Sequence, residues 1–289
     1  MTPAHDDYRR FLRLFTLGLA LGLGAIAALT ILVDPYQAFG WVRIDGVNAY
    51  KIDVGNDRLV KANVMARAKY DGLILGTSQA QFGIDPDSPA LSTLAERFYN
   101  AGLLSATPYQ MLRYLQHGAS VNRIKAAVVM VDLLMFTKHP VPAMLAAFSE
   151  RRLSVSRDGK PQSRWLDPDF VTQVLSFDAL RKTVATVRKQ APMHEILLDN
   201  GLRSPAFLER QITEKGGTRA AFHDSEHAYL TSYGHFELFG PDRTSRALED
   251  FDALLHYARK ENFRVIVLFP PAHARQLEVL RVSGHLDRI

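Results

Sequence analysis

The hydrophobic pattern begins with an uncharged stretch of 20 residues, Leu14 to Val33, between Arg9, Arg10 and Arg13 on one side and Asp34 on the other. Twenty helical residues rise about 30 Å, which is the thickness of a bilayer core. Because the arginines precede the run, the positive-inside bias places the N-terminus in the cytoplasm. We therefore expect residues 1–13 to be cytoplasmic, residues 14–33 to anchor the chain in the lipid bilayer, and the remainder to be extracytoplasmic.

A cleaved signal peptide and a buried core helix are the alternative interpretations of this run. The apolar region of a signal peptide usually has about 7–15 residues and ends in a small-residue cleavage site. The present run is longer, and no clear A-x-A site follows it before Asp34-Pro35. The pattern favours an uncleaved anchor.

After the anchor, four short apolar runs predict buried strands. Residues 34–56 are rich in turn formers and predict a linker, and residues 57–289 are expected to form the main domain. The predicted strands cover Gly72–Gly76, Phe98–Tyr99, Ile124–Val131 and Phe263–Phe269, and the predicted helices between them cover Asp57–Tyr70, Pro108–Gln116 and Thr244–Lys260. Short apolar strands separated by helices indicate an α/β fold with a parallel sheet covered on both faces.

The segment 138–242 does not fit a simple crossover between strands. It contains a polar loop, a predicted helix over Pro168–Lys189 and a break at Gly216-Gly217. About a hundred residues is too long for a connection between neighbouring strands. We predict a mostly helical insertion above the sheet, where a lid or a substrate-binding surface would lie.

Composition narrows the function classes. The chain is 47% hydrophobic, has a net charge of +5 and contains no cysteine, so disulfides and cysteine metal sites are excluded. The basic residues are dispersed among acidic ones, which argues against a nucleic-acid partner. His194, His223, His227 and His235 are irregularly spaced and no glycine-rich phosphate loop occurs outside the anchor, so we expect neither a metal nor a cofactor.

The sequence Leu75-Gly76-Thr77-Ser78 places a serine just past the first predicted strand. Ligands bind at the carboxyl edge of open parallel sheets, and backbone N–H groups at the start of the next helix could hold a developing oxyanion. The alternative interpretation is that Thr77 or Ser78 only caps that helix.

The stretch Leu73 to Pro86, LILGTSQAQFGIDP, resembles the nucleophile block of SGNH/GDSL hydrolases. It is most similar to the bacterial membrane-anchored SGNH-like proteins in which G-[ST]-S replaces G-D-S. Further segments agree in their order: Asp34-Pro35-Tyr36 after the anchor, Arg58 and Lys61 before the strand, Asn100-x-Gly102 after the second strand, and Phe269-Pro270-Pro271-Ala272-His273-Ala274 at the last strand. The resemblance implies a flavodoxin-like, SGNH-type three-layer fold.

The resemblance also implies roles for individual residues. Ser78 would be the nucleophile, and the backbone N–H groups of Ser78 and Gly102 would bind the oxyanion. Thr77 and Asn100 would bind substrate or support the residues that do. Such enzymes usually offer an asparagine amide after the third strand, where this chain has Asp132. An ionised aspartate only accepts hydrogen bonds, so Asp132 is expected to bind a substrate hydroxyl or orient a neighbour.

The general base is the second departure from the family pattern. An Asp-x-x-His motif usually follows the last strand, and none occurs before Ile289. Asp224 and His227 form such a motif, but it precedes the last strand. His273 is the other candidate, either as the base or as a substrate-binding or structural residue. A third alternative is that the chain is C-terminally truncated relative to its relatives and lacks the base.

The resemblance therefore implies an inner-membrane, single-pass protein with a periplasmic domain that is an esterase or O-acyltransferase for acyl groups of a cell-envelope glycan. Fold analogy supports the class of reaction and not the substrate. The rival hypothesis is a catalytically degenerate envelope protein that binds glycan or a partner enzyme of envelope biosynthesis. The departures at Asp132 and at the base favour the rival, whereas the retained serine block and Asn100-x-Gly102 favour activity.

Overall fold

The computed structural model describes residues 3–41, 43–52, 56–136, 148–163, 168–232 and 245–285. Within these ranges the helices are α1 (Pro3–Val33), α2 (Asp57–Met65), α3 (Ser78–Gly83), α4 (Pro108–Val121), α5 (Pro168–Val174), α6 (Phe177–Arg188), α7 (Pro205–Glu214), α8 (Thr218–Ser232), α9 (Arg246–Lys260) and α10 (Ala274–Val282). The strands are β1 (Gly72–Leu75), β2 (Phe98–Asn100), β3 (Ala126–Met130) and β4 (Arg264–Leu268).

The four strands form one parallel sheet in the order β2-β1-β3-β4. The register pairs Ile74 with Asn100 and Val128, so β1 lies between β2 and β3. All four predicted strands are present, and the α/β class with a parallel sheet is confirmed. The carboxyl ends of the four strands lie at the same edge of the sheet. Asn100 is the last residue of β2, and Ser78, Asp132 and Phe269 come shortly after β1, β3 and β4.

Alternating residues of the strands face two unequal hydrophobic clusters. Leu73 and Leu75 point into the larger cluster, which includes residues of α2, α4 and α9. Ile74 and Val128 point into the smaller one, which includes Ala80 of α3. This period of two is the geometry of a strand that is buried on both faces. The edge strand β4 is less covered, and its Val267 and Leu268 are partly exposed.

Helix α1 is the one helix in the described part of the chain that is long and apolar enough to cross a membrane. Only 11% of its most apolar stretch is buried inside the protein, whereas a core helix would be mostly buried. Its C-terminal end is held by the domain: Asn48 Nδ2 donates to Leu32 O at 3.1 Å, and Lys51 Nζ donates to Val33 O at 2.6 Å. Burial lowers the pKa of Lys51 to about 8. A cation at a helix C-terminus also complements the helix dipole.

The predicted linker packs against the domain. Residues 34–41 and 43–52 form turns, in which the Asp34 carboxylate accepts the N–H groups of Ala38 and Gly40 at 2.7 and 2.8 Å. Tyr36 donates its hydroxyl to Asp178 at the start of α6, at 2.7 Å. The chain leaving α1 is therefore fixed to the domain by side-chain contacts.

Two helices differ in extent from their predictions. The helix predicted over Asp57–Tyr70 ends at Met65, and Tyr70 turns into the core, where its ring stacks on Tyr99. The helix predicted over Pro168–Lys189 is divided into α5 and α6. Ser176 causes this break because its hydroxyl accepts the Ala179 N–H and so begins a new helix.

The described part of the predicted insertion is built mainly of helices α5 to α8. Two isolated antiparallel bridges, Val155 with Pro161 and Leu197 with Arg203, tie its loops. The predicted boundaries at residues 138 and 242 lie outside the described residues, as do residues 286–289.

Candidate functional site

Ser78 begins helix α3, two residues after Gly76 at the end of β1. The residue is partly exposed, and its hydroxyl has no hydrogen-bond partner within the described ranges. Thr77 occupies the N-cap position, yet its side chain makes no cap hydrogen bond. Helix capping therefore does not account for either hydroxyl. Gly76 lies where a Cβ atom would come within 2.5 Å of Ala80 Cβ, so glycine permits the tight passage from strand to helix.

Asp132 follows β3 and lies beside Thr77. Thr77 Oγ1 donates to Asp132 Oδ2 at 3.4 Å, and the Leu134 N–H donates to Asp132 Oδ1 at 2.9 Å. Burial is the largest influence on this carboxyl group and raises its pKa. A raised pKa favours the neutral acid, which can donate a hydrogen bond as an asparagine amide does.

A pocket of about 220 Å³ opens at this edge of the sheet, between the ends of β3 and β4 and helix α10. Gln79 and Asp132 contribute its polar groups on the side of Ser78, and Gln79 Oε1 is buried without a hydrogen-bond partner in the described part of the chain. The apolar wall consists of Val131, Leu133, Phe269, Pro270, Pro271, Ala272, Leu277 and Leu280, and Gln276 completes the lining. An apolar pocket with a few polar groups at one side is typical of small-ligand sites.

Asn100 fixes the position of Gly102. Its side chain is fully buried; Nδ2 donates to Ala80 O and to Ile84 O, both at 2.8 Å, while Oδ1 accepts the Gly102 N–H at 2.9 Å. The N–H that the resemblance assigns to the oxyanion is thus bonded to Asn100 in this structure. Binding of an oxyanion at Gly102 would require this hydrogen bond to be exchanged, and the proposed role of Gly102 stays a prediction.

Lys61 of α2 holds the same segment from the other side. Its side chain is fully buried, and Nζ donates to Asn100 O at 2.8 Å and to Gly102 O at 2.6 Å. Burial lowers the pKa of Lys61 to about 7. Both backbone polar groups of Gly102 are therefore engaged by side chains.

A buried network lies behind α3. The Asp57 Oδ2 atom accepts hydrogen bonds from Gln81 Nε2 at 2.9 Å and from Arg203 Nη1 at 3.2 Å. Burial lowers the pKa of Arg203. This network ties α2, α3 and the loop before α7 to one another, and so fixes the helix that Ser78 begins.

Sequence reasoning assigned no role to Gln79, Gln81 or Arg203, and it noted Lys61 only as part of the resemblance. The signal for the two glutamines is their place one and three residues after Ser78 in the same helix. The signal for Lys61 is weaker, because a lysine on a helix with mixed charges is usually exposed.

His273 lies at the other end of the sheet edge. It is the N-cap of α10, where Nδ1 accepts the Arg275 N–H at 3.3 Å, and its ring lies 5.5 Å from that of Phe222. β4 is two strands from β1, a separation of about 10 Å. No hydrogen bond joins His273 to Ser78 in the described part of the chain, so its role as a base stays a prediction.

Asp224 and His227 lie on helix α8, with both side chains exposed. Asp224 makes an ion pair with Lys215 Nζ at 3.1 Å. Within the residues described, no hydrogen bond connects Asp224 to His227. No cluster of three or more His, Asp or Glu side chains suitable for a metal ion occurs in the described ranges.

No protein-family model matches the chain, and no curated protein matches it.

Proposed function

We propose that the protein is a membrane-anchored, extracytoplasmic SGNH-like esterase or O-acyltransferase that acts on acyl groups of a cell-envelope glycan. One observation carries the proposal: Ser78 is partly exposed at the carboxyl end of β1, its hydroxyl has no hydrogen-bond partner in the described part of the chain, and its neighbour Gln79 lines a pocket together with Asp132. The resemblance of the serine block supplies the reaction class.

In this mechanism the Ser78 oxygen attacks the acyl carbonyl and loses its proton to a base, for which His273 is the candidate. The ester bond breaks, the glycan hydroxyl leaves with a proton, and the acyl group remains on Ser78. Water then releases the acid, or a second hydroxyl takes the acyl group. A neutral Asp132 would donate a hydrogen bond to the developing oxyanion or to a substrate hydroxyl.

Helix α1 supports the proposed location. Its length and hydropathy suit a single membrane span, and the arginines before it favour a cytoplasmic N-terminus. Asn48 and Lys51 hold the end of α1, and Thr30 and Val33 are buried against the domain. A segment that packs into the fold in this way favours an uncleaved anchor over a removed signal peptide.

A glycan-binding protein without activity is the second candidate function. Two observations favour it: the Gly102 N–H is bonded to Asn100, and the His273 ring lies against Phe222. In that case the pocket beside Asp132 would bind an acylated sugar without cleaving it.

Hydrolysis of p-nitrophenyl acetate by the full chain in lipid nanodiscs separates the two candidates. We expect Ser78→Ala to abolish turnover above the uncatalysed rate. Ser92→Ala is the matched control, because Ser92 is an exposed serine whose hydroxyl bonds only to Pro89 O in the described structure. Equal rates in the wild type and in Ser78→Ala would contradict the proposed enzymatic activity and favour the glycan-binding protein without activity.

A further inference from the structure

Helix α6 lies alongside the last turns of α1. Thr183 Oγ1 donates to Thr30 Oγ1 at 3.3 Å in a buried contact, and Asp178 accepts the Tyr36 hydroxyl at 2.7 Å. Tyr36 lies in the turn after α1, so the two contacts place the first half of α6 beside the end of α1 and the turn that follows it. Thr30 is three residues before the end of the apolar run, a rise of about 4.5 Å. The middle of α6 is therefore level with the membrane boundary.

The outer face of α5 and α6 is apolar. Ala179, Thr183 and Thr186 are the buried residues of α6, and they face inward at helical spacing. The neighbouring face of the helix carries Phe177, which is 83% exposed, and the partly exposed Leu180, Val184 and Val187. Val171 of α5 and Leu175, which follows α5, extend this surface. We name the set Val171, Leu175, Phe177, Leu180, Val184 and Val187 the α5–α6 surface.

Basic residues border this surface. Phe177, Leu180 and Val184 line one shallow groove together with Arg181, Arg188 and Lys189. Lys182 adds a fourth cation on α6, whereas Asp178 is the one acidic residue of that helix. An amphipathic helix with apolar residues on one side and Lys and Arg beside them is suited to an anionic membrane surface.

Aromatic residues lie next to α5. Phe39 makes an edge contact with Phe170 at 5.6 Å between ring centres and stacks on Trp41 at 6.1 Å. Trp41 is 54% exposed. Tryptophan is enriched at the boundary between lipid and water, so its place near α1 agrees with the same depth.

We propose that the α5–α6 surface rests on the bilayer from which α1 emerges, with its apolar side chains among the lipid headgroups and acyl boundary and its arginines on anionic phosphates. The proposal rests on the proposed membrane anchoring by α1. It implies that the domain has one fixed orientation on the membrane, because α1 and α6 are packed together.

The absence of cysteine from the chain makes the test direct, since each variant carries a single label. The full chain is reconstituted in vesicles of phosphatidylethanolamine and phosphatidylglycerol, with a fluorophore at Leu21→Cys, Phe177→Cys, Val184→Cys or Phe269→Cys. Leu21 reports on the anchor. Phe269 is the matched control for Phe177, because it is an aromatic residue that is 79% exposed but follows β4. Quenching by a spin-labelled lipid is compared with quenching by aqueous iodide.

We expect the labels at positions 177 and 184 to be quenched by the lipid probe at least twofold more than the label at 269, and to be protected from iodide. Replacing phosphatidylglycerol with phosphatidylcholine is expected to reduce lipid quenching at position 184. If positions 177 and 184 match 269 while 21 remains quenched by lipid, the surface proposal is overturned and the anchor stands. Protection from iodide without lipid quenching would indicate a second protein copy and also overturn it. Absence of lipid quenching at position 21 would overturn the anchor and the surface together.

Discussion

The two ends of the carboxyl edge of the sheet differ in how far their side chains are buried and hydrogen-bonded. Near β1 and β2, Lys61, Asn100 and Gln81 are fully buried; Lys61 and Asn100 donate to backbone carbonyl groups, and Gln81 donates to the Asp57 carboxylate. Near β4, Phe269 and His273 are exposed; within the described residues the His273 ring accepts the Arg275 N–H and lies beside the ring of Phe222. The difference shows that the side of the sheet edge with Ser78 is held by buried hydrogen bonds, whereas the side with His273 is open to solvent.

The largest effect is expected from removing Asn100. Asn100→Ala removes three hydrogen bonds and leaves Ile84 O and the buried Gly102 N–H without these partners, while Ala80 O keeps only the Ile84 N–H. We expect the free energy of unfolding to fall by about 3–5 kcal/mol, since each unpaired buried group costs about 1–3 kcal/mol. Phe269→Ala, on the open side, should change it by less than about 0.5 kcal/mol. Denaturant unfolding in nanodiscs measures both, and equal losses would remove the contrast between the two ends.

The second effect is a pH dependence at Lys61. Its pKa is lowered from 10.5 to about 7 by burial, so between these values the unfolded chain binds a proton that the folded chain has released. The free energy of unfolding of the wild type, measured relative to Lys61→Met, should therefore rise with pH from about 7 and level off near 10.5. The rise is expected to be on the order of 5 kcal/mol. A difference that stays flat across this range would show that Lys61 remains charged in the fold.

A smaller effect is expected from adding a methyl group at Gly102. A Cβ atom there would lie 2.8 Å from the backbone nitrogen of Gln81, which cannot move without α3. We expect Gly102→Ala to lower the free energy of unfolding by about 2 kcal/mol. Gly83→Ala, in helix α3, is the control, because no atom lies within 4 Å of its added Cβ. It should be neutral or stabilising by up to about 1 kcal/mol, and the opposite order would contradict the described packing.

The smallest effect concerns Asp132. Because burial raises its pKa, the neutral donor form persists to a higher pH than for an exposed aspartate. Hydrolysis that depends on Ser78 should fall as the pH rises through this pKa, by about tenfold or ~1.4 kcal/mol. Asp132→Asn keeps a donor at every pH and should remove this decline. The rates of Ser78→Ala, measured at each pH, provide the background. If the rate of Asp132→Asn still falls as the pH rises, the titration of another group causes the decline.

The strands could be predicted from sequence because their signal is local. Each is a short apolar run, and β1 and β3 are buried on both faces, as a continuous run implies. The helix boundaries were less predictable, since Tyr70 leaves the helical path to stack on Tyr99, which lies far along the chain. Distant contacts also fix residues 34–52: Arg43 pairs with Glu195, and Tyr50 with Gln190.

The sequence predicts which residues of the candidate site follow the strands, but not the buried charged residues that hold them in place. Ser78 and Asp132 follow apolar strands, so their place at the carboxyl edge could be inferred from topology. The burial of Lys61 could not be inferred, because all nine residues of α2 are buried although Asp57, Arg58 and Lys61 are charged. Their burial depends on partners in other segments, such as the carbonyl groups of Asn100 and Gly102 and the side chain of Arg203. No local pattern encodes such partners.

Labelling of the full chain with a fluorophosphonate tests the central claim most directly, because the reagent forms a covalent bond with an activated serine. The account predicts one adduct per chain, located by peptide mapping at Ser78, absent in Ser78→Ala and retained in Ser92→Ala. The absence of an adduct in the wild type, or an adduct that persists in Ser78→Ala, would contradict a nucleophile at this edge of the sheet.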